Sequence, residues 1–584
     1  MFRNIRPLFP YLAKYKAGLI GGGVCVLLMN GVWAFFPRII GHVVDDLRTG
    51  ITRESLLFYV LLISVVAGWK AFFQFLTRWI LIGISRDIEY DLRNDLFRHL
   101  EVLSYDFYQR TRTGDIMARS TNDLNAVRMM LGPAIMYSAN TLVFAAFALT
   151  FMWQYSPKLM LYAFAPLPFA SVLIQYFGSR IHDRFEKIQA TFSDISARVQ
   201  ENLSGARLIR AYVQEEAEIK HFERTKLEYI GRSMKLVQLM GMLWPTLQTM
   251  LGLAFVLVLF IGGREALRGH IKAGDFSAFS LYMIMLTWPI IALGWVINIY
   301  QRGSASMGRL AEIMHESPTI TDATAKPELA NAPVRGEIEF RNVSFQFPGT
   351  KSATIRNINL HIPAGSSLAI VGPTGSGKTT LAYLLGRVYD PTEGTVLLDG
   401  HPLSQWPLYT LRKNVGFVPQ ETFLFSATIR ENIAFGSEER PLTDVVEAAT
   451  VAGIANDIEE FPAKYETVVG ERGITLSGGQ KQRTAIARAV IRDPRVLVLD
   501  DALSSVDTYT EERILTHLRD VMQDRTTILV SHRVSTIRHA DRIAVLHNGE
   551  IVEYGTHDEL ICANRYYTDL HNKQLLEEEL AIAD

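Results

Sequence analysis

The sequence has 584 residues, of which 48% are hydrophobic and 20% are charged. This composition excludes a disordered or low-complexity protein. Residues 1–320 contain 33 Lys and Arg against 24 Asp and Glu, whereas residues 321–584 contain 26 against 36. A basic, apolar first part and an acidic second part predict a membrane domain followed by a cytosolic domain.

Two cysteines, Cys25 and Cys562, are too far apart in the chain to indicate a disulfide framework, and no Cys/His cluster suggests a metal site. Basic residues near the N-terminus precede a long apolar stretch. Because a signal peptide has a shorter apolar core and a small-residue cleavage site, we interpret this stretch as a retained membrane anchor.

Six stretches are apolar enough and long enough to cross about 30 Å of hydrocarbon as helices. They lie at about residues 17–37, 56–84, 134–154, 157–178, 240–262 and 276–299. The loops after the second and fourth stretches are rich in Arg and Lys, so the positive-inside rule predicts that both loops and the N-terminus are cytosolic. Apolar residues spaced by three and four in these loops predict that the two helices continue beyond the bilayer, with an ordinary helical bundle as the alternative.

Three polar residues interrupt the second apolar stretch at a spacing of four: Lys70, Gln74 and Arg78. This spacing puts them on one face of a helix. A charge at this depth faces the interior of a helix bundle or a wet cavity, or else extends its side chain to the membrane surface. The sequence leaves both interpretations open.

Residues 315–336 are polar and contain three prolines, which indicates a linker. The second domain is therefore expected to begin near Gly336. We expect a transmembrane domain over residues 1–320, a linker over 321–336, a nucleotide-binding domain over 337–575 and a C-terminal tail over 576–584.

A glycine-rich segment, GPTGSGKTT at 372–380, follows a predicted buried strand at 368–371 and precedes a helical run. This order of strand, glycine-rich turn and helix is the context that a phosphate-binding P-loop needs. Glycines let backbone N–H groups surround phosphate oxygens, and the helix N-terminus adds a favourable dipole. The residues predicted to bind nucleotide are Gly372, Pro373, Thr374, Gly375, Ser376, Gly377, Lys378, Thr379 and Thr380.

Within this loop, Lys378 is predicted to neutralise the β- and γ-phosphates, and the Thr379 hydroxyl to ligate Mg²⁺. A second apolar strand, at 496–500, ends in the carboxylate of Asp500. Asp500 is the expected Mg²⁺-orienting residue of a P-loop nucleotidase, with a strand-end cap as the alternative. The predicted cofactors are therefore ATP and Mg²⁺.

Residues 476–480 read LSGGQ and lie between the P-loop and Asp500. With this ordered set of motifs, the second half of the chain resembles the ATPase of ATP-binding cassette (ABC) proteins. The resemblance implies that Phe347 stacks on adenine, that Gln420 touches the metal and that His532 contacts the γ-phosphate. It also implies that the nucleotide of a partner chain is bound by Ser477, Gly478, Gly479 and Gln480.

The first half resembles the exporter type of this family, in which six membrane helices precede one ATPase. Residues 107–130 and 205–216 are similar to the two long intracellular loops of that type. The resemblance implies an all-α six-helix transmembrane domain followed by an α/β P-loop ATPase domain. It further implies a half-transporter, in which each ATP lies between the P-loop of one chain and the signature of the other.

One residue departs from the family pattern. The family's catalytic base is a Glu directly after the strand-end Asp, and here that position is Asp501. Asp is one methylene shorter, so its carboxylate falls ~1.3 Å short, and a displacement of this size can lower the rate about a hundredfold. Within the family, the substitution is typical of the degenerate half of heterodimeric multidrug exporters.

The sequence as a whole predicts an ATP-driven exporter subunit in a bacterial plasma (inner) membrane, with an N-terminus and an ATPase in the cytosol. The expected partners are a second half-transporter, with a heterodimer favoured over a homodimer, membrane lipids and a lipophilic substrate such as a drug, lipid or hydrophobic peptide. No nucleic-acid partner is expected, because a soluble cassette ATPase conflicts with six membrane spans. A mainly ATP-binding regulatory half and a lipid flippase are the alternatives.

Overall fold

The computed structural model describes residues 2–350, 352–437, 440–470, 473, 476–504, 508–531, 533 and 537–583. The chain folds into two compact units, Met1–Arg98 with Met117–His315 and His99–Ile116 with Glu316–Asp584. His532, the predicted γ-phosphate contact, lies outside the described residues, as do residues 505–507.

The first unit is built from helices. In the described residues they are Phe2–Ile5, Phe9–Lys14, Lys16–Trp33, Phe36–Thr49, Arg53–Val102, Thr113–Ala118, Leu124–Met129, Ile135–Tyr155, Pro157–Phe164, Leu167–Ser204, Ala206–Ala211, Glu215–Leu267 and Ala273–Met314. A 3₁₀ turn, Arg6–Leu8, precedes the second of them. Two π-helical turns, Arg119–Asp123 and Met130–Ala134, flank Leu124–Met129.

Among the described residues, five helical segments are long and apolar enough to cross a membrane: Lys16–Thr49, Arg53–Val102, Thr113–Tyr155, Glu215–Leu267 and Ala273–Met314. Each covers one of the predicted stretches. The remaining stretch, 157–178, is divided between Pro157–Phe164 and Leu167–Ser204. Pro166 separates the two helices, because proline has no N–H for the helix ladder and its ring crowds the preceding turn.

Four helices of this unit are much longer than a bilayer is thick, and they include the two that were predicted to continue past their apolar stretches. Arg53–Val102 has 50 residues and Leu167–Ser204 has 38. At a rise of about 1.5 Å per residue, the first is ~75 Å long, more than twice the hydrocarbon thickness. Both helices therefore continue past the predicted apolar stretches, and their position outside the membrane stays a prediction.

The core of the first unit forms where the last helix, Ala273–Met314, packs against Phe36–Thr49 and Ile135–Tyr155. Phe279 and Tyr282 of the last helix are completely buried there. The packing with Phe36–Thr49 depends on small residues: a methyl group on Gly41 would stand 2.7 Å from the carbonyl oxygen of Gly274. The two backbones are therefore in direct contact.

The second unit contains two sheets in its described residues. Its strands are β1 (Ile338–Phe345), β2 (Ile355–Ile362), β3 (Ser367–Val371), β4 (Glu393–Leu398), β5 (His401–Pro402), β6 (Val415–Val418), β7 (Val496–Asp500), β8 (Thr526–Val530), β9 (Arg542–His547) and β10 (Glu550–Gly555). One sheet is antiparallel with the order β2-β1-β4-β5. The other has the order β10-β9-β3-β8-β7-β6 and is parallel except at β10.

Helices cover these sheets. They are Tyr105–Arg110, Lys378–Leu385, Leu408–Asn414, Ile429–Ile433, Leu442–Val451, Ala455–Glu460, Gly478–Val490, Thr508–Met522, His557–Ala563 and Tyr566–Ala583. Every residue of β7 and β8 is buried, as expected of parallel strands covered on both faces. A helical first unit and an α/β second unit confirm the predicted fold class.

The order of the parallel sheet decides where a ligand binds. In open α/β sheets, ligands bind beyond the carboxyl ends of the parallel strands. Gly372 follows β3, Asp500 ends β7 and Gln420 lies just after β6. Because β3, β8, β7 and β6 are consecutive and parallel, these residues share one edge of the sheet.

The short helix Tyr105–Arg110 comes from the first predicted cytosolic loop but belongs to the second unit. The Tyr105 ring lies 6.0 Å from the ring of Tyr389. The Ser104 hydroxyl accepts a hydrogen bond from the Thr319 N–H at 2.9 Å. This loop therefore packs on the α/β fold, close to Tyr389.

Candidate nucleotide-binding site

The P-loop leaves β3 at Gly372 and enters the helix Lys378–Leu385 at Gly377. Gly372 has φ 152° and a side chain there would collide with the carbonyl oxygen of Leu546. Gly377 has φ 102° and caps the helix in the left-handed region, which glycine adopts without steric strain. The loop therefore requires glycine at both ends.

Lys378 is folded back over this loop. Its ammonium donates hydrogen bonds to the carbonyl oxygens of Gly372 at 2.8 Å and Pro373 at 3.0 Å. Burial lowers the pKa of Lys378, while the carboxylates of Asp500 and Asp501 act in the opposite direction. A buried ammonium held beside the first helical turn is suited to neutralise phosphate oxygens.

Asp500 is the most buried carboxylate of the site, with 1% of its surface exposed. Its Oδ1 accepts a hydrogen bond from the Thr379 hydroxyl at 3.2 Å, and its Oδ2 has no partner among the described residues. Burial raises the pKa of Asp500 to about 6, although the Thr379 hydrogen bond opposes the shift. A buried, half-satisfied carboxylate beside a hydroxyl fits the oxygen ligands of Mg²⁺.

Protein carboxylates alone would not hold that ion. No group of three His, Cys, Asp or Glu in the described part of the chain has the geometry of a metal site. Mg²⁺ in nucleotide sites usually combines one or two protein oxygens with phosphate oxygens and water. The pair Thr379–Asp500 therefore fits a metal that arrives with the nucleotide.

Asp501 directly follows β7. Its backbone has φ 48° and its N–H donates to the carbonyl oxygen of Val530 at 2.8 Å. The Gln420 amide lies 3.4 Å from the Asp501 carboxylate, so the two predicted catalytic residues that are described are within hydrogen-bonding distance. Their meeting results from the pairing of β6 with β7.

Phe347 belongs to a cluster of aromatic side chains. Its ring is perpendicular to those of Phe345 and Tyr389, at 4.9 and 5.5 Å. Tyr389 in turn lies 6.3 Å from Tyr383, which is on the P-loop helix, and 6.0 Å from Tyr105. A partly buried aromatic residue beside the P-loop helix suits stacking on a nucleobase.

Tyr389 and Tyr105 were not among the residues predicted from the sequence to belong to this site. Neither residue lies in a motif, and the two are separated by 284 positions in the printed sequence.

The signature segment forms the start of the helix Gly478–Val490. Ser477 caps this helix: its hydroxyl accepts from the Gln480 N–H at 3.2 Å, and the Gln480 side chain accepts from the Ser477 N–H at 3.0 Å. Gln480 also donates to Asp457 at 3.1 Å, which Arg483 pairs with at 2.8 Å. The capping box orients the first turn, whose N–H groups have no partner within the helix.

The signature helix is also connected to the end of β7. Gln482 donates to the Ser504 hydroxyl at 2.9 Å, and that hydroxyl donates to the carbonyl oxygen of Asp501 at 3.0 Å. Through Ser504, the signature helix is therefore connected by hydrogen bonds to Asp501, the residue that follows the strand-end Asp500.

In the first unit, the predicted polar face of Arg53–Val102 lines a cavity of about 510 Å³. Lys70, Gln74 and Arg78 all contribute to its wall. The Lys70 ammonium lies 3.6 Å from the centre of the Trp33 ring. Of the two interpretations left open by the sequence, the structure supports the one in which this face lines a cavity.

A P-loop, a strand-end carboxylate and a capped LSGGQ helix on this fold define a cassette-type nucleotide-binding ATPase joined to membrane-spanning helices. Comparison with known protein families gives the same class of protein. The family pattern described as ABC transporter transmembrane region matches residues 19–290, and the pattern described as ABC transporter matches residues 355–504.

Relatives align with nearly the whole chain. The probable multidrug resistance ABC transporter ATP-binding/permease protein YheI of Bacillus subtilis is 37% identical, over 99% of this chain and 98% of that protein. The multidrug resistance-like ATP-binding protein MdlA of Escherichia coli is 35% identical, over 96% and 95%. The ATP-dependent lipid A-core flippase of Syntrophus aciditrophicus is also 35% identical, over 95% and 92%.

A solved structure of a bacterial Atm1-family ABC exporter with ATP bound is similar in fold. Its TM-score is 0.79 with 27% identity, over 96% of this chain and 99% of that one. The chain belongs to the ABC transporter family. It is an exporter of the multidrug and lipid type, located in the bacterial inner membrane, whose cytosolic C-terminal ATPase couples ATP hydrolysis to transport.

Proposed function

We propose that this chain is the degenerate-site half of a heterodimeric exporter, which moves lipophilic drugs, lipids or hydrophobic peptides from the inner side of the membrane to the outside. The observation that carries the proposal is Asp501, which occupies the position where the family has a catalytic Glu. The shorter side chain cannot reach as far toward an attacking water, and such a displacement can reduce the rate about a hundredfold.

The P-loop of this chain supplies one composite site. Lys378 would contact the β- and γ-phosphates, Thr379 and Asp500 would hold Mg²⁺, and Phe347 would stack on adenine. Bound Mg²⁺ would neutralise the charge that develops on the phosphoryl oxygens. Gln420 would orient the nucleophilic water together with Asp501, whose carboxylate it approaches to 3.4 Å. His532 would contact the γ-phosphate.

The signature of this chain supplies the other composite site. Ser477, Gly478 and Gly479 would present the N-terminus of the helix Gly478–Val490 to the ATP on the partner's P-loop. The partner's catalytic Glu would activate water there. In this arrangement the chain's own site is slow, while its signature is necessary for the fast site.

Two alternatives have specific support. A mainly ATP-binding regulatory half is favoured by Asp501, although Lys378 and the intact LSGGQ segment oppose an inactive protein. A lipid flippase is favoured by the similarity to a protein named as a lipid A-core flippase and by the cations in the wall of the membrane cavity.

The decisive experiment compares the purified chain alone with the chain co-expressed beside a half-transporter that carries Glu at this position. We expect fast ATPase only in the mixed dimer. Asp501→Asn should change that rate less than about twofold, whereas the partner's Glu→Gln should reduce it about a hundredfold. Asp520→Asn, an exposed carboxylate on the helix Thr508–Met522, is the matched control and should have no effect.

The opposite result is a homodimer of this chain with fast ATPase that Asp501→Asn abolishes. Asp501 would then be a working base, and an obligatory partner would be excluded.

A further inference from the structure

The cavity in the first unit lies between helices that come from distant parts of the chain. Its wall is formed by Lys16–Trp33, Arg53–Val102, Ile135–Tyr155 and Ala273–Met314. A volume of about 510 Å³ is typical of sites for drug-sized ligands, which occupy roughly 300–1,000 Å³. The cavity is therefore large enough for the headgroup and first part of an amphiphile.

The charge of the wall has one sign. Lys70 and Arg78 are cationic, and the lining residues that the structure describes include no carboxylate. A charge among membrane-spanning helices is unfavourable unless an opposite charge or water accompanies it. Two cations that face one cavity without an acidic side chain therefore favour an anionic ligand.

The Lys70 ammonium is positioned by an aromatic ring. It lies 3.6 Å from the centre of the Trp33 ring, a geometry in which the negative face of the ring attracts a cation. The interaction holds the ammonium against the wall without neutralising it. Trp33 thus positions the Lys70 side chain in the wall of the cavity.

The third feature is a buried hydroxyl. Thr77 is 2% exposed and lines the cavity, and its hydroxyl has no hydrogen-bond partner in the described part of the chain. A buried hydroxyl without a partner is unfavourable, so a ligand oxygen within reach would satisfy it. Thr77 is adjacent to Arg78 in the sequence. Lys70 lies about two helical turns before Arg78, which is ~12 Å along the helix axis.

The remainder of the wall suits an apolar body. Trp288, Tyr137 and Phe144 contribute aromatic surface, and Met29, Met136 and Met285 contribute flexible thioethers. Aromatic and methionine side chains accept ligands of varied shape. Polar selectivity therefore depends on the cationic helix face.

We propose that this cavity binds amphiphiles with an anionic oxygen headgroup, such as a phosphate or a sulfonate, through Lys70, Thr77 and Arg78. The aromatic wall contacts the apolar body of the same ligand. The inference rests on the proposed export function and names its substrate class. The headgroup can come from a membrane lipid or from a lipophilic anionic drug.

The test uses the full-length chain in phosphatidylcholine nanodiscs and two matched ligand pairs. Lysophosphatidic acid against lysophosphatidylcholine represents lipids, and anilinonaphthalenesulfonate against uncharged N-phenylnaphthylamine represents drugs. We expect the anionic member of at least one pair to bind about tenfold more tightly, the value of one charge-assisted hydrogen bond. The pair that shows the preference identifies the source of the ligand.

Variants assign the preference to named residues. Lys70→Gln, Arg78→Gln and Thr77→Val should each weaken the anionic ligand several-fold and leave its uncharged or zwitterionic counterpart unchanged, while Lys70→Arg should retain the preference. Arg98→Gln, at the exposed end of the same helix and outside the cavity wall, is the control and should bind both ligands as the parent does. Size-exclusion profiles and melting temperatures establish that each variant is folded.

Equal affinity for both members of both pairs in the parent protein would overturn the inference, as would an anionic preference that the folded Lys70→Gln and Arg78→Gln variants keep. The proposed function fails differently. If the chain with its partner exports none of the four ligands in proteoliposomes, export itself is in question, whereas export of the uncharged ligands without anionic preference excludes only the anion site.

Discussion

The Thr379 hydroxyl donates a hydrogen bond to Oδ1 of Asp500 at 3.2 Å. The other oxygen of the same carboxylate, Oδ2, has no partner in the described residues. The pair joins the first turn of the P-loop helix to the end of β7. It also leaves one buried oxygen free, and burial raises the pKa of Asp500 to about 6. The site therefore contains a carboxylate that is unfavourably ionised until a cation binds.

The first prediction concerns the pH dependence of stability. The pKa of Asp500 is about 6 in the folded protein and 3.8 in an unfolded chain. The protonated side chain therefore contributes its full share to the free energy of unfolding below pH 3.8, and this contribution is lost as the pH rises through 6. Asp500→Asn should therefore raise the free energy of unfolding of the nucleotide-free protein at neutral pH by on the order of 1–3 kcal/mol, and by less near about pH 4.

Thermal unfolding of the parent and the variant across this pH range measures the difference. The same variant should lose Mg²⁺-dependent ATPase of this chain's own site. If the variant is less stable than the parent at neutral pH, burial of the ionised Asp500 carboxylate does not destabilise the nucleotide-free protein, and the prediction is wrong.

The second prediction concerns Lys378. Lys378→Ala removes the ammonium that contacts Gly372 and Pro373, so nucleotide binding should weaken at least about a hundredfold and transport should stop. Titration with a fluorescent ATP analogue measures the affinity. Lys413→Ala, an exposed lysine at the end of the helix Leu408–Asn414, provides the control. Unchanged affinity in Lys378→Ala, with transport intact, would exclude Lys378 from the phosphate site.

The third prediction concerns the signature. Gly479 lies in the first turn of the helix Gly478–Val490, where backbone N–H groups are available to an anion. Gly479→Asp would put a negative side chain against the γ-phosphate of the partner's ATP, and steady-state ATPase of the dimer should fall about a hundredfold. Gly479→Ala, which adds no charge, should lose far less. Equal losses in the two variants would show that crowding, and not charge, is responsible.

The fourth prediction concerns Tyr389. Its hydroxyl is buried and has no hydrogen-bond partner in the part of the chain that the structure describes, and burial raises its pKa. Tyr389→Phe should therefore preserve the contacts with Phe347 and Tyr105 and stabilise the protein by roughly 1 kcal/mol. Tyr389→Leu should lower the affinity for ATP, because Phe347 would lose the ring it packs against. Melting temperature and ATP titration separate the two effects.

The features that are local follow from contiguous segments of the sequence. The P-loop depends on consecutive residues from Gly372 to Thr380, and the membrane stretches depend on runs of about 20 apolar residues. The stretch at 157–178 shows the limit of that reasoning, since its hydropathy is sufficient for a span but Pro166 divides the helix. Composition alone does not register the loss of one N–H donor.

The roles of Ser477, His532 and the other motif residues stay predictions, because they depend on a bound nucleotide and a second chain. For the described residues, the fold brings side chains that are distant in the sequence close together in space. Gln420 and Asp501 are 81 positions apart in sequence and come within 3.4 Å because β6 pairs with β7. No periodicity in the chain specifies which strands become neighbours.

The sequence by itself determined the two-part architecture, the phosphate loop and the departure at Asp501, because each is written in a contiguous segment or a composition. Only the tertiary structure decided that Lys70 and Arg78 line a cavity, and that Tyr105 reaches Tyr389. Helical spacing places side chains on one face of a helix. The free-energy cost of a charged side chain on that face depends on which neighbouring residues pack against it. That neighbour is supplied by helices distant in sequence, such as the one carrying Trp33.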